Sequence, residues 1–248
     1  MEATVLPGLR SLCSATMRLA AIGDRDPSYL THRELDAAFA LMDDTIDCGW
    51  TPSDSREARD LDDVGGVWLL PGTPYRDDSA AYAAIDYCLE TETPFLGTCG
   101  GFQYACIALA RKLAGLSEAA HAENDPGAEM IVVAPLACSL YGERRMVEPV
   151  VGTRLAQLCG ERPFVGFHWC GFGLDPTMES RLEGAGVVLS ARAEDAGVEA
   201  IELSDHPFFI ATAFQPQMGA SEARQLHPLI TALIDSGRRR QVARTTSV

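Results

Sequence analysis

The residue best placed to do chemistry is a cysteine. Residues 94–110 read PFLGTCGGFQYACIALA, and Cys99 stands in them between Gly97 and Gly101. A short apolar run precedes the glycines. An apolar helical pattern built on Phe102, Cys106, Ile107 and Leu109 follows them. The local order is therefore strand, G-x-C-x-G, helix, which is the layout of a nucleophile elbow with sulfur in place of a hydroxyl. Side chains two residues either side of a nucleophile on so tight a turn would collide with it, which is why glycine stands there. The free N–H groups and positive dipole end of the following helix favour thiolate over thiol. A cysteine in apolar surroundings is usually a small buried hydrophobe, and Cys88 and Cys106 are read that way. The flanking glycines and the switch of periodicity set Cys99 apart.

Such a turn needs a sheet to hold it. The 248 residues suit one α/β domain, and 47% hydrophobic content is ordinary for a globular chain. Strands are predicted over residues 17–23, 64–70, 94–96, 130–136, 164–174, 187–190, 198–203 and 207–214. Helices are predicted over 31–42, 79–90, 102–110, 153–158 and 222–234. Thr31 with Glu34 reads as a capping box for the first helix. The apolar run 64–70 reads as a central parallel strand ending in a Pro71-Gly72 turn, at the carboxyl edge where α/β ligand sites form. The expected architecture is three-layered: a mostly parallel central sheet flanked by helices, with an antiparallel extension in the strand-rich stretch from 130 to 214. Residues 1–16 are expected to be an N-terminal extension, 17–235 the domain, and 236–248, with Arg238, Arg239 and Arg240, a frayed basic tail.

Charge and cysteine usage exclude several classes. The net charge is −15, from 35 acidic and 20 basic residues, which argues against binding a phosphate backbone. Eight cysteines without a C-x-x-C pair point to reduced thiols in a cytoplasmic setting rather than a zinc ribbon. No apolar run approaches ~18 residues, so no membrane span is expected. No cofactor and no metal are expected. A cluster of His121, Glu123, His168, Cys99 and Cys170 is the one metal option, and no ligand-spacing motif supports it.

Taken together, VWLLPGTPY, PFLGTCGGFQ, AENDP, VEAIELSDHPFFIATAFQPQ and HPLITALI, in this order and spacing, resemble the class I glutamine amidotransferase family. The likeness is greatest to the amidotransferase domain of CTP synthases and to stand-alone chains related to that region, and it runs from about residue 17 to 234. The resemblance implies a flavodoxin-like amidotransferase fold and a thioester chemistry in which Cys99 attacks a side-chain amide. It implies an oxyanion hole from the Gly100 N–H and a donor near Thr73. It places Gln103 at a substrate-contacting position and Glu123 at the acid that holds a substrate ammonium. The synthase part of those enzymes has no counterpart here, so the expected partners are a small-molecule substrate or ligand and either a second copy or a separate synthase chain.

The departures from the family pattern carry as much information. The family's general base and its orienting acid fall on Gln215 and Gln217, and a carboxamide has no usable proton-accepting site near neutral pH. The arginine that pairs with the substrate α-carboxylate falls on Gly171, which removes a bidentate contact, and Cys170 falls on a neighbouring family histidine. Ordinary glutamine hydrolysis is therefore expected to be negligible. Two readings stay open. In one the chain is a repurposed cysteine enzyme acting on another small amide or electrophile. His168 and Cys170, two apart and so on one face of a strand, would then serve as replacement base and resolving thiol. In the other the chain is a binding or regulatory module that kept the fold and lost the chemistry. The plain alternatives are a hydrogen-bonded histidine beside aromatics for His168 and core packing for Cys170. His206, before Pro207, reads as a turn residue.

Overall fold

The computed structural model describes residues 16–246; the extension expected over 1–16 therefore lies almost wholly outside the described residues. The first half of the chain is a run of strand–helix units. It comprises β1 (Met17–Ile22), α1 (Leu30–Ala40), β2 (Ile46–Thr51), β3 (Val64–Leu69), α2 (Asp78–Thr91), β4 (Phe95–Thr98) and α3 (Gly100–Lys112). The second half is strand-rich: β5 (Ala120–His121), β6 (Ile131–Pro135), β7 (Glu143–Pro149), α4 (Arg154–Cys159), β8 (Phe164–His168), β9 (Phe172–Leu174), α5 (Glu179–Gly184), β10 (Val188–Ala193), β11 (Gly197–Glu202) and β12 (Phe209–Thr212). Two helices close the chain, α6 (Ala220–Ala223) and α7 (Pro228–Thr246).

Among the described residues the main sheet has the order β2-β1-β3-β4-β12-β11-β10-β7-β8. From β2 to β12 every pairing is parallel, and from β11 outward every pairing is antiparallel. The expected parallel sheet with an antiparallel extension is what the chain forms. A small second sheet, β5-β6-β9, lies beside it.

The period of two along the central strands sorts side chains between two cores. Leu19, Ala21, Trp68, Leu96 and Ile210 face one core with Leu35 of α1 and Leu229 and Leu233 of α7. Ala20, Ile22, Val67, Leu69, Phe95 and Phe209 face the other, with Ile85 of α2 and Phe102 and Ile107 of α3. β4 lies between β3 and β12, covered on both faces, so its carboxyl end is fixed by neighbours on either side.

Several expectations need correction. The capping box at Thr31 does not form: the cap position is Tyr29, without a side-chain bond. Glu34 accepts instead from the backbone N–H and hydroxyl of Ser221, at 3.0 and 2.6 Å, so a tertiary partner outcompetes the local one. β2 and β7 were not expected, because polar, half-exposed sequences such as IDCGWT and ERRMVEP owe their strand state to ladder partners rather than to an apolar pattern. The closing helix does not fray at 236. It continues to Thr246, with Arg238 paired to Asp43 at 2.6 Å and Arg240 donating to the Thr91 carbonyl at 2.9 Å.

The correction that matters most for function lies in 164–174, expected as one strand. It is two strands in two sheets, β8 on β7 and β9 on β6, broken at Trp169-Cys170-Gly171. The shared-face relation of His168 and Cys170 is lost with that break.

Candidate active site

Four parallel strands, β1, β3, β4 and β12, end on the same edge of the sheet. The segments that leave them supply Asp24, Pro71-Gly72-Thr73, Cys99 and Gln215 to the wall of one cavity of about 280 Å³. That volume is at the small end of ligand sites. The Trp169–Phe172 crossover, Tyr29 and His32, and Glu123 and Tyr141 close the other sides.

Cys99 occupies the turn in a strained conformation, φ 53° and ψ −105°, of the kind that persists only where the surroundings enforce it. The surroundings are backbone. A Cβ on Gly97 would stand 2.6 Å from the Gly101 carbonyl oxygen, and one on Gly101 would stand 2.3 Å from that of Leu69. The Cys99 N–H is tied to the Thr212 carbonyl at 2.8 Å. The sulfur, pointing into the cavity, lies 3.7 Å from the Trp169 carbonyl oxygen. Its thiol is pulled below the ordinary range, first by hydrogen bonding from the Cys170 thiol and then by the N–H groups of Gly100 and Gly72; burial and the Glu123 charge oppose this. The strand-end donor that reaches the sulfur is thus Gly72, one residue before the expected Thr73. The Thr73 hydroxyl donates instead to Glu123, at 3.2 Å.

Of the residues expected at the base and orienter positions, Gln215 lines the cavity while Gln217 is fully buried outside its lining, and the two are joined to each other. Gln217 Nε2 donates to Gln215 Oε1 at 2.7 Å, and the Gln215 N–H is held by the Phe167 carbonyl at 2.9 Å. With its oxygen engaged, Gln215 has only its amide N–H₂ left to offer the cavity, so this position donates a hydrogen bond and takes no proton.

His168 is not placed to act as a base for Cys99. It is fully buried, and its Nε2 bonds Glu199 Oε2 at 2.8 Å; among the described residues no hydrogen bond joins it to Cys99. Glu199, on β11, gave no sequence signal, since it is 31 positions from His168 and β10 and β7 stand between β11 and β8 in the sheet. The residue the broken strand does deliver is Cys170, which lines the cavity and helps to lower the pKa of the Cys99 thiol. Its own thiol is held well above the ordinary range, chiefly by its interaction with Cys99.

On the opposite wall Gln103 is locked into the protein, with Nε2 donating to the Phe172 carbonyl at 2.9 Å and Oε1 facing His121 Nε2 at 3.1 Å. His121 Nδ1 accepts from the Glu123 N–H at 3.1 Å. Both bonds are consistent with one neutral tautomer, and burial pushes the imidazole down to about 4. Glu123 lines the cavity beside Thr73. Gly171 lines it as bare backbone, and the Tyr141 hydroxyl stands 3.4 Å from where its Cβ would be. Asp24, Asp26 and Glu123 are carboxylates of the lining, which contains neither lysine nor arginine. Tyr141 and Tyr29 set their rings edge-on to Trp169, at 6.1 and 6.5 Å. His206 accepts the structural role expected of it, bonding the Cys88 carbonyl at 3.0 Å. Among the described residues no three metal-ligating side chains converge on a metal-sized site.

Strand, strained cysteine and helix are thus assembled at the carboxyl edge of a parallel sheet, and the model of the family "Glutamine amidotransferase class-I" matches residues 39–227. The chain belongs to the class I glutamine amidotransferase family. Its sequence is 32% identical over 226 residues to a CTP synthase of Methanopyrus kandleri, covering 81% of this chain and 41% of that one. It is 34% identical over 209 residues to a CTP synthase of Thermus thermophilus, covering 75% and 37%. The chain therefore spans about two fifths of the length of the curated relatives it matches. In fold it is similar to the glutaminase domain of a Trypanosoma brucei CTPS with bound acivicin, with a TM-score of 0.79 at 21% identity over 90% of this chain and 94% of that one. It is similar also to a glutamine amidotransferase of Thermotoga maritima, with a TM-score of 0.57 at 19% identity over 92% and 98%. The fold is the flavodoxin-like one of this family. No described helix is long and apolar enough to cross a membrane.

Proposed function

We propose that this amidotransferase-family chain keeps a reactive cysteine but is not an ordinary glutaminase, and that Cys99 acts on a small amide or related electrophile other than free glutamine. One observation carries the reading: the Cys99 sulfur faces an open cavity at the start of α3, its thiol pulled below the ordinary range, while Gln217 donates to Gln215. A thiolate favoured in this way is nucleophilic without an adjacent base. Departure of an amine from a tetrahedral adduct does need a proton donor. The missing imidazole typically costs ~10²–10⁴ in rate, and substrates with better leaving groups suffer least.

The lining narrows the substrate further. Glutamine carries an α-carboxylate, and this cavity has carboxylates and neither lysine nor arginine to meet it. Bringing an unpaired carboxylate into such a site costs on the order of 2–5 kcal/mol. An uncharged or cationic group avoids that penalty, and the Tyr29, Trp169 and Tyr141 rings suit a cation. The curated relatives are CTP synthases, so a separate synthase chain or a second copy remains the partner of this reading.

The test is twofold. Iodoacetamide near pH 7 is expected to label Cys99 before the exposed Cys138, and the chain is expected to release no more ammonia from glutamine than Cys99→Ala does. Clear glutamine turnover would overturn the substrate assignment. Equal labelling of Cys99 and Cys138 would favour the second reading, a binding module, for which the hydrogen-bonded Gln215–Gln217 pair is the specific support.

A further inference from the structure

The break after β8 places a second thiol against the first. Cys99 and Cys170 lie 71 positions apart, on different elements, yet both line the same cavity. The Trp169 carbonyl, one peptide bond from Cys170, sits 3.7 Å from the Cys99 sulfur, which sets the Cys170 backbone beside that sulfur, and each thiol bears on the acidity of the other. Packing alone does not explain that arrangement, since a buried cysteine that serves as a small hydrophobe touches carbon. Cys88 and Cys106 show the contrast. Both are fully buried within the apolar core cluster, and burial pushes both thiols up.

We propose that Cys99 and Cys170 form a peroxide-reactive dithiol, in which Cys99 is the attacking sulfur and Cys170 the resolving one. The proposal rests on the reactive-cysteine reading of the same site. The electron count closes with a hydroperoxide as oxidant. The Cys99 thiolate attacks the outer peroxide oxygen; an S–O bond forms, the O–O bond breaks, and the leaving alkoxide takes the Cys170 proton to depart as an alcohol, or as water from hydrogen peroxide. Cys99 is then a sulfenic acid and Cys170 a thiolate. The Cys170 sulfur attacks the Cys99 sulfur, the S–S bond forms, and hydroxide leaves and is protonated by solvent. The two sulfurs lose two electrons and the O–O bond gains them. The disulfide covers the nucleophile and is reopened by external thiols, so the same chemistry would switch off any reaction at Cys99 under oxidising conditions and restore it afterwards.

The assignment of attacker and resolver follows from the environment. Two backbone N–H groups, of Gly100 and Gly72, favour a thiolate at Cys99 against one, of Phe172, at Cys170, and Glu199 and the Cys99 charge both discourage a thiolate at Cys170 until its proton has been used. No such pairing is available to Cys48, Cys138 or Cys159, none of which lines the cavity.

The experiment treats the reduced full chain with one equivalent of hydrogen peroxide, with dimedone present to trap sulfenic acid. The wild type is expected to lose two hydrogens in intact mass, to yield a linked Cys99–Cys170 peptide pair, and to return to the starting mass with dithiothreitol. In Cys170→Ser the attack still occurs but nothing resolves it, so dimedone adduct at Cys99 is expected to rise about tenfold over wild type. Cys170→Ala provides the same readout should the serine perturb the site. An equal adduct yield in wild type and both variants, a disulfide to any other cysteine, or no oxidation of Cys99 overturns the proposal. The two readings fail separately. Fast iodoacetamide labelling of Cys99 without the disulfide sinks only the dithiol, whereas disulfide formation without selective labelling sinks only the nucleophile reading.

Discussion

The two sides of the Cys99 cavity are made of different material. One side, the elbow and the strand-end turn, is backbone: glycines packed at van der Waals limits, N–H groups of Gly72 and Gly100, and the first turn of α3. The other side is side chain: Gln215 and Gln217 where the family pattern has base and orienter, Gly171 without a guanidinium, and a His121–Gln103 pair held in one tautomer. A backbone site changes only if the fold changes, whereas a side-chain site changes with one codon. That difference explains how a chain can keep its nucleophile turn while the side chains around it vary.

The largest expected effect comes from testing the backbone side at its tightest point. Gly101→Ala puts a methyl carbon 2.3 Å from the Leu69 carbonyl oxygen, and neither the β3 end nor the buried first turn of α3 can move away without disturbing the core. The expected cost is about 3 kcal/mol, read as a lowered Tm together with loss of selective Cys99 labelling. Gly184→Ala is the control, since nothing lies within 4 Å of its Cβ position; a Gly101→Ala protein as stable as that control would mean that the turn is not held by close contact.

This division also explains what could be read from the sequence. The elbow and the parallel core were legible because each depends on residues close together in the chain: a glycine spacing, an apolar run. The pairing of His168 with Glu199 was not legible, since 31 positions and the order of the antiparallel strands separate them. Nor was the split of FVGFHWCGFGL between two sheets, because it carries no proline or charge to announce the break. Cys170 reaches the cavity by way of that break and not by the continuous strand expected from the sequence.

A smaller effect separates the sides by pH. Amide N–H groups do not titrate in the working range, but His121 does. Burial holds its imidazole at about 4, against 6.5 when unfolded. Because the folded value is the lower one, this stability is complete above about pH 6.5 and is lost as pH falls toward 4. The loss is on the order of 3 kcal/mol. His227, also pushed down to about 4 by burial, adds a second contribution over the same window. The Tm is expected to fall steadily between pH 7 and pH 4.5, and His121→Gln, which cannot charge, is expected to fall less steeply. Parallel slopes in the two proteins would place the acid sensitivity outside this wall of the cavity.

The smallest expected effect tests the comparison most directly. If backbone N–H groups and the Cys170 thiol set the state of the nucleophile, residue 215 should hardly matter to it. Gln215→Leu removes the amide that faces the cavity and leaves Gln217 its bond to the Thr31 carbonyl, at 3.5 Å. The loss of one hydrogen bond costs about 1 kcal/mol of stability. The iodoacetamide rate at Cys99 near pH 7 is expected to stay within about threefold of wild type, since no charge or proton acceptor has been taken away. The pH at which that rate is half-maximal is expected to stay in place too. A drop of tenfold or more, or an upward move of that midpoint, would show that the Gln215 amide donates to the thiolate and that the side-chain half of the cavity still serves the sulfur.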